Sequence, residues 1–196
     1  AVSPVTNDDG IHVGGLTGFL MSIGYAIKTL NPTRVIICFD GKGGSQRRRK
    51  IFPDYKANRL VRTKLNRTNA FSDKDSEDQN MQMQLGRLIQ YLDNLPVQIL
   101  APEKIEADDA IAYISKQVLT DSKIFIMSSD KDFIQLVDER IAVWSPTKKK
   151  LYFKDGVMED YKLPSHNYLL YRTLTGDKSD NIPGIRGTGL TTLDKR

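Results

Sequence analysis

The chain has 196 residues, of which 27% are charged, and a formal net charge of +5 with a pI near 9.2. That length allows one domain with a real core, or one domain plus a small appendage, and a mean hydropathy of −0.41 with no long apolar run excludes a membrane-spanning chain. A single cysteine, Cys38, excludes an intramolecular disulfide and a cysteine-based zinc site, and His12 and His166 lie in no ligand-like pattern.

Residues 1 to 15 are polar and turn-like, with a tight turn at Asn7-Asp8-Asp9-Gly10 and no strand before it. The N-terminus carries no signal-peptide pattern, so a cytoplasmic protein is expected. Leu16, Phe19, Leu20, Ile23, Ile27 and Leu30 fall at helical spacing and predict a helix that Asn31-Pro32 ends. Val35 to Phe39 reads as a short buried strand holding Cys38 as a small hydrophobe, and Asp40-Gly41 follows as either a plain turn or an acid at a strand tip.

Between Lys42 and Arg67 stand ten basic residues and one acid, Asp54. The run Arg47-Arg48-Arg49-Lys50 leads into Ile51-Phe52-Pro53-Asp54-Tyr55-Lys56-Ala57-Asn58-Arg59, where aromatics interleave with cations. A solvated basic surface is the bland reading; binding of a phosphate backbone with base or sugar stacking is the one preferred. Lys56 and Arg59 would share a face if this segment were helical. Residues 71 to 80 turn polar and acidic, as in a mobile loop. Met81, Leu85, Leu88, Ile89 and Leu92 then predict a helix over 81–95, with Met81 and Met83 as core filler.

After a short strand at 97–100, Glu106, Asp108 and Asp109 open a helix. Acids complement a helix N-terminus, but this density exceeds that need. Glu106 and Asp109 share a face and Asp108 points elsewhere. Ile124 to Met127 reads as a strand buried on both faces, delivering Asp130 and Asp132 to its C-terminal end, where ligands bind in open α/β sheets. The same two acids would also serve as a helix N-cap. A strand at 141–144, an exposed lysine turn at 148–150, an edge strand at 151–153 and a helix at 167–174 follow, with Asp155, Glu159 and Asp160 read as plain surface. The segment 175–196 adds a third acidic pair, Asp177 and Asp180, then Gly184, Gly187 and Gly189 in a loop before a helix starting near Thr191. Such a loop can hold a phosphate through its backbone N–H groups.

Each acidic group follows a strand or opens a helix, so βα connections can bring Asp40, Glu106, Asp108, Asp109, Asp130, Asp132, Asp177 and Asp180 to one sheet edge. Carboxylates gathered there repel each other, and hard divalent ions with oxygen ligands, Mg²⁺ or Mn²⁺, are the natural solution. An acidic hollow in a basic protein is the arrangement expected for hydrolysing a nucleic-acid phosphodiester with two ions.

The motifs VIICFDGK, FPDYKANR, IEADDAIA, IMSSDKDFIQLV and TGDKSDNIPGIRGTG, in this order, resemble those of the 5′-nuclease superfamily. That family includes bacterial and phage 5′→3′ exonucleases, the N-terminal nuclease domain of DNA polymerase I, phage ribonuclease H and flap endonucleases; WSPTKKK resembles the phage members. The resemblance implies an α/β fold: a PIN-like mixed, mainly parallel sheet flanked by helices, with a helical arch and a helix–hairpin–helix-type element. On this division residues 1–163 are the catalytic domain, 42–78 its arch, and 164–196 the start of a DNA-binding region. It implies Asp40, Glu106, Asp108 and Asp130 nearer a first metal, Asp132, Asp177 and Asp180 nearer a second, and Asp109 between them. Asp40 and Asp130 count as catalytic with Lys56 and Arg59, which would steer or polarise the scissile phosphate while Tyr55 stacks on a base.

The resemblance further implies DNA contacts from Arg47, Arg48, Arg49 and Lys50, and duplex binding at Gly184, Gly187 and Gly189, often with K⁺. The expected substrates are single-strand/duplex DNA junctions, with RNA–DNA hybrid as a further candidate, and the expected state is a monomer. The family's opening strand and its aspartate have no counterpart before residue 15, nor has the region beyond the hairpin, so the chain reads as a fragment. Two alternatives follow: a structure-specific DNA-binding module without catalysis, and a PIN-type ribonuclease.

Overall fold

A computed structural model describes residues 5–60 and 73–189, the side chains of residues 59 and 60 excepted. The described residues divide into two compact units, one within Ala1–Ile37 and Arg62–Leu100, the other within Cys38–Val61 and Ala101–Arg196. No described helix is long and apolar enough to cross a membrane.

In the first unit the Asn7 side chain closes the expected turn. Its Oδ1 accepts from the backbone of Asp9 (3.2 Å) and Ile11 (2.8 Å), and Gly10 takes the left-handed φ of +76° the turn requires. Helix α1, Gly14–Leu30, ends with Asn31 left-handed at φ 43°. Helix α3, Lys74–Leu92, packs against it. The acidic stretch expected as a loop is instead the start of α3. Asp73 caps the helix by accepting from Ser76 N–H at 2.8 Å, and Asp75 and Glu77 sit in the first turn, where carboxylates meet the positive helix end.

The buried stripe of α3 is Asn80, Gln84, Leu88 and Leu92. Met81 and Met83 are therefore outward, 56% and 38% exposed, rather than core filler. The two amides are buried because they have partners. Gln84 Oε1 accepts from the Leu16 N–H at 3.0 Å, satisfying an orphan donor at the start of α1, and Asn80 donates to the His12 carbonyl at 2.9 Å. Strands β1, Ile36–Cys38, and β2, Gln98–Leu100, form a two-stranded sheet.

The second unit is built on a three-stranded sheet in the order β3 (Ile124–Met127), β4 (Ile141–Ser145), β5 (Lys150–Tyr152). β3 and β4 run parallel, pairing Ile124 with Ile141 and Met127 with Trp144; β4 and β5 run antiparallel, pairing Val143 with Tyr152. The sheet is thus mixed, as expected. The buried strand is the central β4, with Ile141 and Val143 each 1% exposed, and not β3, whose Phe125 is 37% exposed. Helices α5 (Lys154–Tyr161) and α6 (Tyr168–Thr175) cover the sheet through Val157 and a run of tyrosines. Tyr161 meets Tyr168 edge-on at 5.1 Å, a favoured aromatic geometry. Asp160, expected as plain surface, is held by Lys150 Nζ at 2.6 Å and the Tyr152 hydroxyl at 2.7 Å.

Helix α4, Ala107–Tyr113, continues into a wider π turn, Ile114–Val118. The Arg140 guanidinium donates to the carbonyls of Ser115 (2.7 Å) and Leu119 (2.7 Å), satisfying groups the widened end leaves open.

Candidate functional site

Asp40 leaves β1 and is followed at once by a backbone contact that only glycine permits. The Gly41 N–H donates to the Ile105 carbonyl at 3.0 Å, and a Cβ on Gly41 would stand 1.7 Å from the Pro102 oxygen. The Asp-Gly pair is therefore more than a turn. It lays residues 40–44 against 102–106 and lets Asp40 Oδ1 accept from the Ala107 N–H at 2.7 Å, capping α4.

The next residues of the basic segment form α2, Gln46–Ile51, which exposes Arg47, Arg49 and Lys50 and turns Arg48 inward. Arg48 grips Asp109 with two parallel bonds of 2.7 Å and reaches Glu106 at 3.1 Å. Glu106 is 4% exposed at the head of α4, and burial of a carboxylate demands partners. It has them: Lys56 Nζ donates to Oε1 at 2.9 Å, and the Tyr55 hydroxyl to Oε2 at 3.0 Å. Glu106 and Asp109 thus share a face and one arginine, as their spacing predicts.

Lys56 is not helical. Its φ is +57°, and its N–H donates to the Asp180 carbonyl at 2.9 Å, so the expected shared helical face with Arg59 does not form at Lys56. Arg59 follows in a 3-10 turn, Ala57–Leu60, and its side chain lies outside the described residues. The turn is pinned to residues 178–181 by Asn58 on the Lys178 carbonyl and Asn181 on the Asp54 carbonyl, both at 2.9 Å. Tyr55 is 5% exposed, with Lys56 Nζ 4.8 Å from its ring centroid. Its ring is packed inside and covered by a cation, so it does not offer the free stacking face the resemblance implies.

Asp130 and Asp132 follow β3 and open a 3-10 turn, Lys131–Leu136. Asp130 Oδ1 accepts from the Asp132 N–H at 2.8 Å, so the capping reading holds for Asp130. Asp132 is turned toward α6, where Arg172 Nε donates to its Oδ1 at 2.7 Å. Arg172 also donates to Asp177 Oδ2, and Asp177 Oδ1 accepts from the Ser179 N–H at 2.7 Å. Arg172 is a site residue that sequence reasoning passed over, since a lone arginine on an amphipathic helix carries no motif; its place just before the acidic TGD segment was the available signal.

The carboxylates feel one another. Partial withdrawal from water, then the negative field of Asp130 and, beyond it, Asp40 and Glu106, push Asp108 up to about 6 against the opposing pull of Lys56. Burial raises Asp132 as well, with Arg172 limiting the rise and Asp130 and Asp177 adding to it. Asp109 is held below the usual carboxylate range, chiefly by the Arg48 hydrogen bonds. Asp177 is also lowered: burial acts upward but is outweighed by Ser179 and Arg172. Burial pushes Tyr55 up to about 12, keeping it a donor to Glu106. Asp180 contributes its carbonyl to Lys56 and its charge to Tyr55.

Seven of the eight expected acids therefore fall into two sets, while Asp180 meets the basic segment through its backbone carbonyl. In one, Asp108 feels the charge of Asp130 and Asp40, with Glu106 and Asp109 nearby in the grip of Arg48 and Lys56. In the other, Asp132 and Asp177 share Arg172. Among the described residues no group of three or more is disposed to hold a metal ion as it stands. Cations and backbone N–H groups already take many of the oxygens. The chemistry of the first set still fits a divalent ion: hard oxygen donors, mutually repelling, with no lysine or arginine ion pair to Asp40, Asp108 or Asp130 among the described residues. The second set fits less well, because a guanidinium already neutralises it.

A cavity of about 270 Å³ opens beside Asp130, with Ser128, Ser129, Lys131, Thr147 and Lys148 in its wall. The glycines of the C-terminal loop differ in role. Gly184 has a packing reason, since a Cβ there would stand 2.1 Å from the Thr175 oxygen at the end of α6. Gly187 is left-handed at φ +80°, and an added Cβ would meet nothing within 4 Å at either Gly187 or Gly189. The helix expected from Thr191 lies outside the described residues.

The family model for the 5′-3′ exonuclease, N-terminal resolvase-like domain, matches residues 1–162. A 5′-3′ exonuclease of Aquifex aeolicus is 30% identical over 190 residues, covering 96% of this chain and 60% of that protein. A DNA polymerase I of Caldicellulosiruptor bescii is 31% identical over 204 residues, covering 100% of this chain and 22% of that protein. The chain thus spans about 60% of the length of the exonuclease and less of the polymerase. Among solved structures, the T5 D15 protein co-crystallized with metal ions matches with a TM-score of 0.75 at 22% identity, over 92% of this chain and 66% of that one. The catalytic core of Rad2 in complex with DNA substrate matches with a TM-score of 0.57 at 17% identity, over 99% of this chain and 55% of that one. These two likenesses show a common fold. With the family model covering most of its length, the chain belongs to the 5′-3′ exonuclease family within the 5′-nuclease superfamily.

Proposed function

We propose that the protein is a divalent-metal-dependent, structure-specific 5′-nuclease that hydrolyses phosphodiesters at 5′ flaps, 5′ ends or RNA primers. The observation that supports this reading is that Asp108, at the head of α4, is raised to about 6 by burial and by the negative charge of Asp130, Asp40 and Glu106. Such a set is relieved by a hard cation, and Mg²⁺, or Mn²⁺ in its place, is the ion whose ligands are carboxylate and water. When bound there, the ion would lower the pKa of water and stabilise the leaving 3′-oxygen.

The chain's own residues do the rest. Arg47, Arg49 and Lys50, exposed on α2, neutralise backbone phosphates. Lys56, fixed by Glu106 and its left-handed backbone, presents a positive charge beside the acids and stabilises charge developing on the scissile phosphate. Water attacks phosphorus directly. The new P–O bond forms as the bond to the 3′-oxygen breaks, and the departing oxygen takes a proton, leaving a 5′-phosphate and a 3′-hydroxyl. The left-handed turn at Gly187, in the loop with Gly184 and Gly189, is read as a phosphate contact to duplex DNA, with K⁺ as a companion ion and residues 164–196 as the start of the duplex-binding region. On this reading the enzyme works as a cytoplasmic monomer.

The test is a substrate panel of 5′-flap DNA, RNA–DNA hybrid and single-stranded RNA, each with Mg²⁺. Cuts near the flap junction that leave 5′-phosphate ends support the proposal. Junction binding with no turnover assigns a DNA-binding module, and preference for single-stranded RNA assigns a PIN-type ribonuclease.

A further inference from the structure

Arg172 has no part in the reaction described above, yet its surroundings are specific. Its side chain, 22% exposed, spans two carboxylates from different elements. Nε donates to Asp132 Oδ1 at 2.7 Å, a terminal nitrogen donates to Asp177 Oδ2, and the other terminal nitrogen reaches the Gly176 carbonyl at 3.4 Å. Asp177 Oδ1 is filled by the Ser179 N–H at 2.7 Å and hydroxyl at 2.6 Å. A guanidinium keeps its charge at any working pH and holds its donors in a rigid fork. Between two carboxylates it supplies positive charge and fixed geometry, the same two things a divalent ion supplies to oxygen ligands.

We infer that Arg172 is a resident counter-cation that holds Asp132 and Asp177 in place of a second divalent ion, so that the free protein takes up one ion readily and a second only when Arg172 lets go. The inference rests on the nuclease reading, and takes from the family resemblance that these two aspartates face a second ion. A phosphodiester is a ligand that arginine binds with two parallel hydrogen bonds, so bound DNA is the competitor that draws the guanidinium away. Loading of the second ion is thereby tied to the presence of substrate.

The experiment is calorimetric titration of the full chain with Mn²⁺ and no DNA, for wild type, Arg172→Gln and Arg172→Lys. Wild type binds one ion. Arg172→Gln binds two, its second site tightened at least about tenfold by loss of the competing charge. Arg172→Lys stays with wild type, because an ammonium still neutralises the pair. Thermal unfolding gives a second readout: Arg172→Gln melts below wild type without ion and gains more in Tm from saturating Mn²⁺. Two ions bound equally well by free wild type overturns the inference, a result read on the native protein that needs no variant. One ion in both wild type and Arg172→Gln, with flap cleavage by wild type intact, also overturns it while leaving the nuclease reading standing. No ion and no cleavage in any of the three removes the nuclease reading and this inference together.

Discussion

Lys56 Nζ donates to Oε1 of Glu106 at 2.9 Å, and the same carboxylate takes the Tyr55 hydroxyl at 3.0 Å on its other oxygen. The pair joins the basic segment to the acidic start of α4. The lysine reaches Glu106 from a left-handed backbone position that the Asp180 carbonyl holds at 2.9 Å. In the proposed reaction a cation fixed in this way would meet the charge developing on the scissile phosphate without having to be ordered first.

Lys56→Ala is therefore expected to slow the chemical step by about a hundredfold or more while changing DNA affinity severalfold at most. Single-turnover cleavage beside equilibrium binding of the same flap DNA separates the two. A loss confined to binding contradicts the role given to Lys56.

The exposed cations of α2 should behave in the opposite way. Replacing Arg47, Arg49 and Lys50 together by alanine removes the exposed charges proposed to meet phosphates without touching the Arg48 pairs. The slope of log binding constant against log salt is expected to fall by about 0.7–0.9 for each phosphate no longer neutralised. An unchanged slope places the DNA elsewhere.

Gly41→Ala tests the scaffold. The added Cβ would meet the Pro102 oxygen at 1.7 Å, so residues 40–44 must lift from 102–106 and the Asp40 cap on Ala107 is strained with them. A loss of about 3 kcal/mol in unfolding free energy is expected, at the upper end of ordinary single substitutions. Denaturant unfolding measures it. Gly24→Ala, at a position with nothing within 4 Å, is the matched control and should be neutral or slightly stabilising.

Asp160 sets a pH dependence away from the site. Hydrogen bonds from Lys150 and then Tyr152 lower its carboxyl from 3.8 to about 2. A depressed carboxyl stabilises the fold above its unfolded pKa and loses that contribution as pH falls through the folded value. Asp160→Asn should thus lower Tm by about 2–4 °C at pH 7 and converge with wild type near pH 2, the modest size reflecting solvent screening of the pair. Equal Tm values at pH 7 would show that the contact contributes nothing in solution.

Much of this arrangement is legible in the amino-acid sequence, and the parts that are not share a cause. The spacing of Glu106, Asp108 and Asp109 on a helix start separates the face that meets Arg48 from Asp108, which feels the charge of Asp130. The strand from Ile124 is readable as a short apolar run, whereas its two aspartates read as strand-tip acids or as a helix N-cap, and Asp130 does cap the turn that follows. The phase of α3 escapes the pattern because its buried stripe carries Asn80 and Gln84, whose burial depends on partners far along the chain at His12 and Leu16. Arg172 and the inward turn of Arg48 are hidden for the same reason: a cation's partner is set by tertiary placement, not by its neighbours in sequence. Tyr55 lies in a run that suits stacking, yet Glu106 claims its hydroxyl and Lys56 covers its ring.

The central claim is that the acids around Asp130 perform metal-dependent cleavage rather than merely shape a DNA-binding surface. Single-turnover cleavage of an end-labelled 5′-flap duplex by wild type and by Asp130→Ala, each with Mg²⁺ and with EDTA, tests it most directly. The account predicts junction cuts only for wild type with Mg²⁺, and undiminished flap binding by Asp130→Ala. Equal cleavage by Asp130→Ala, or cleavage by wild type in EDTA, would contradict it.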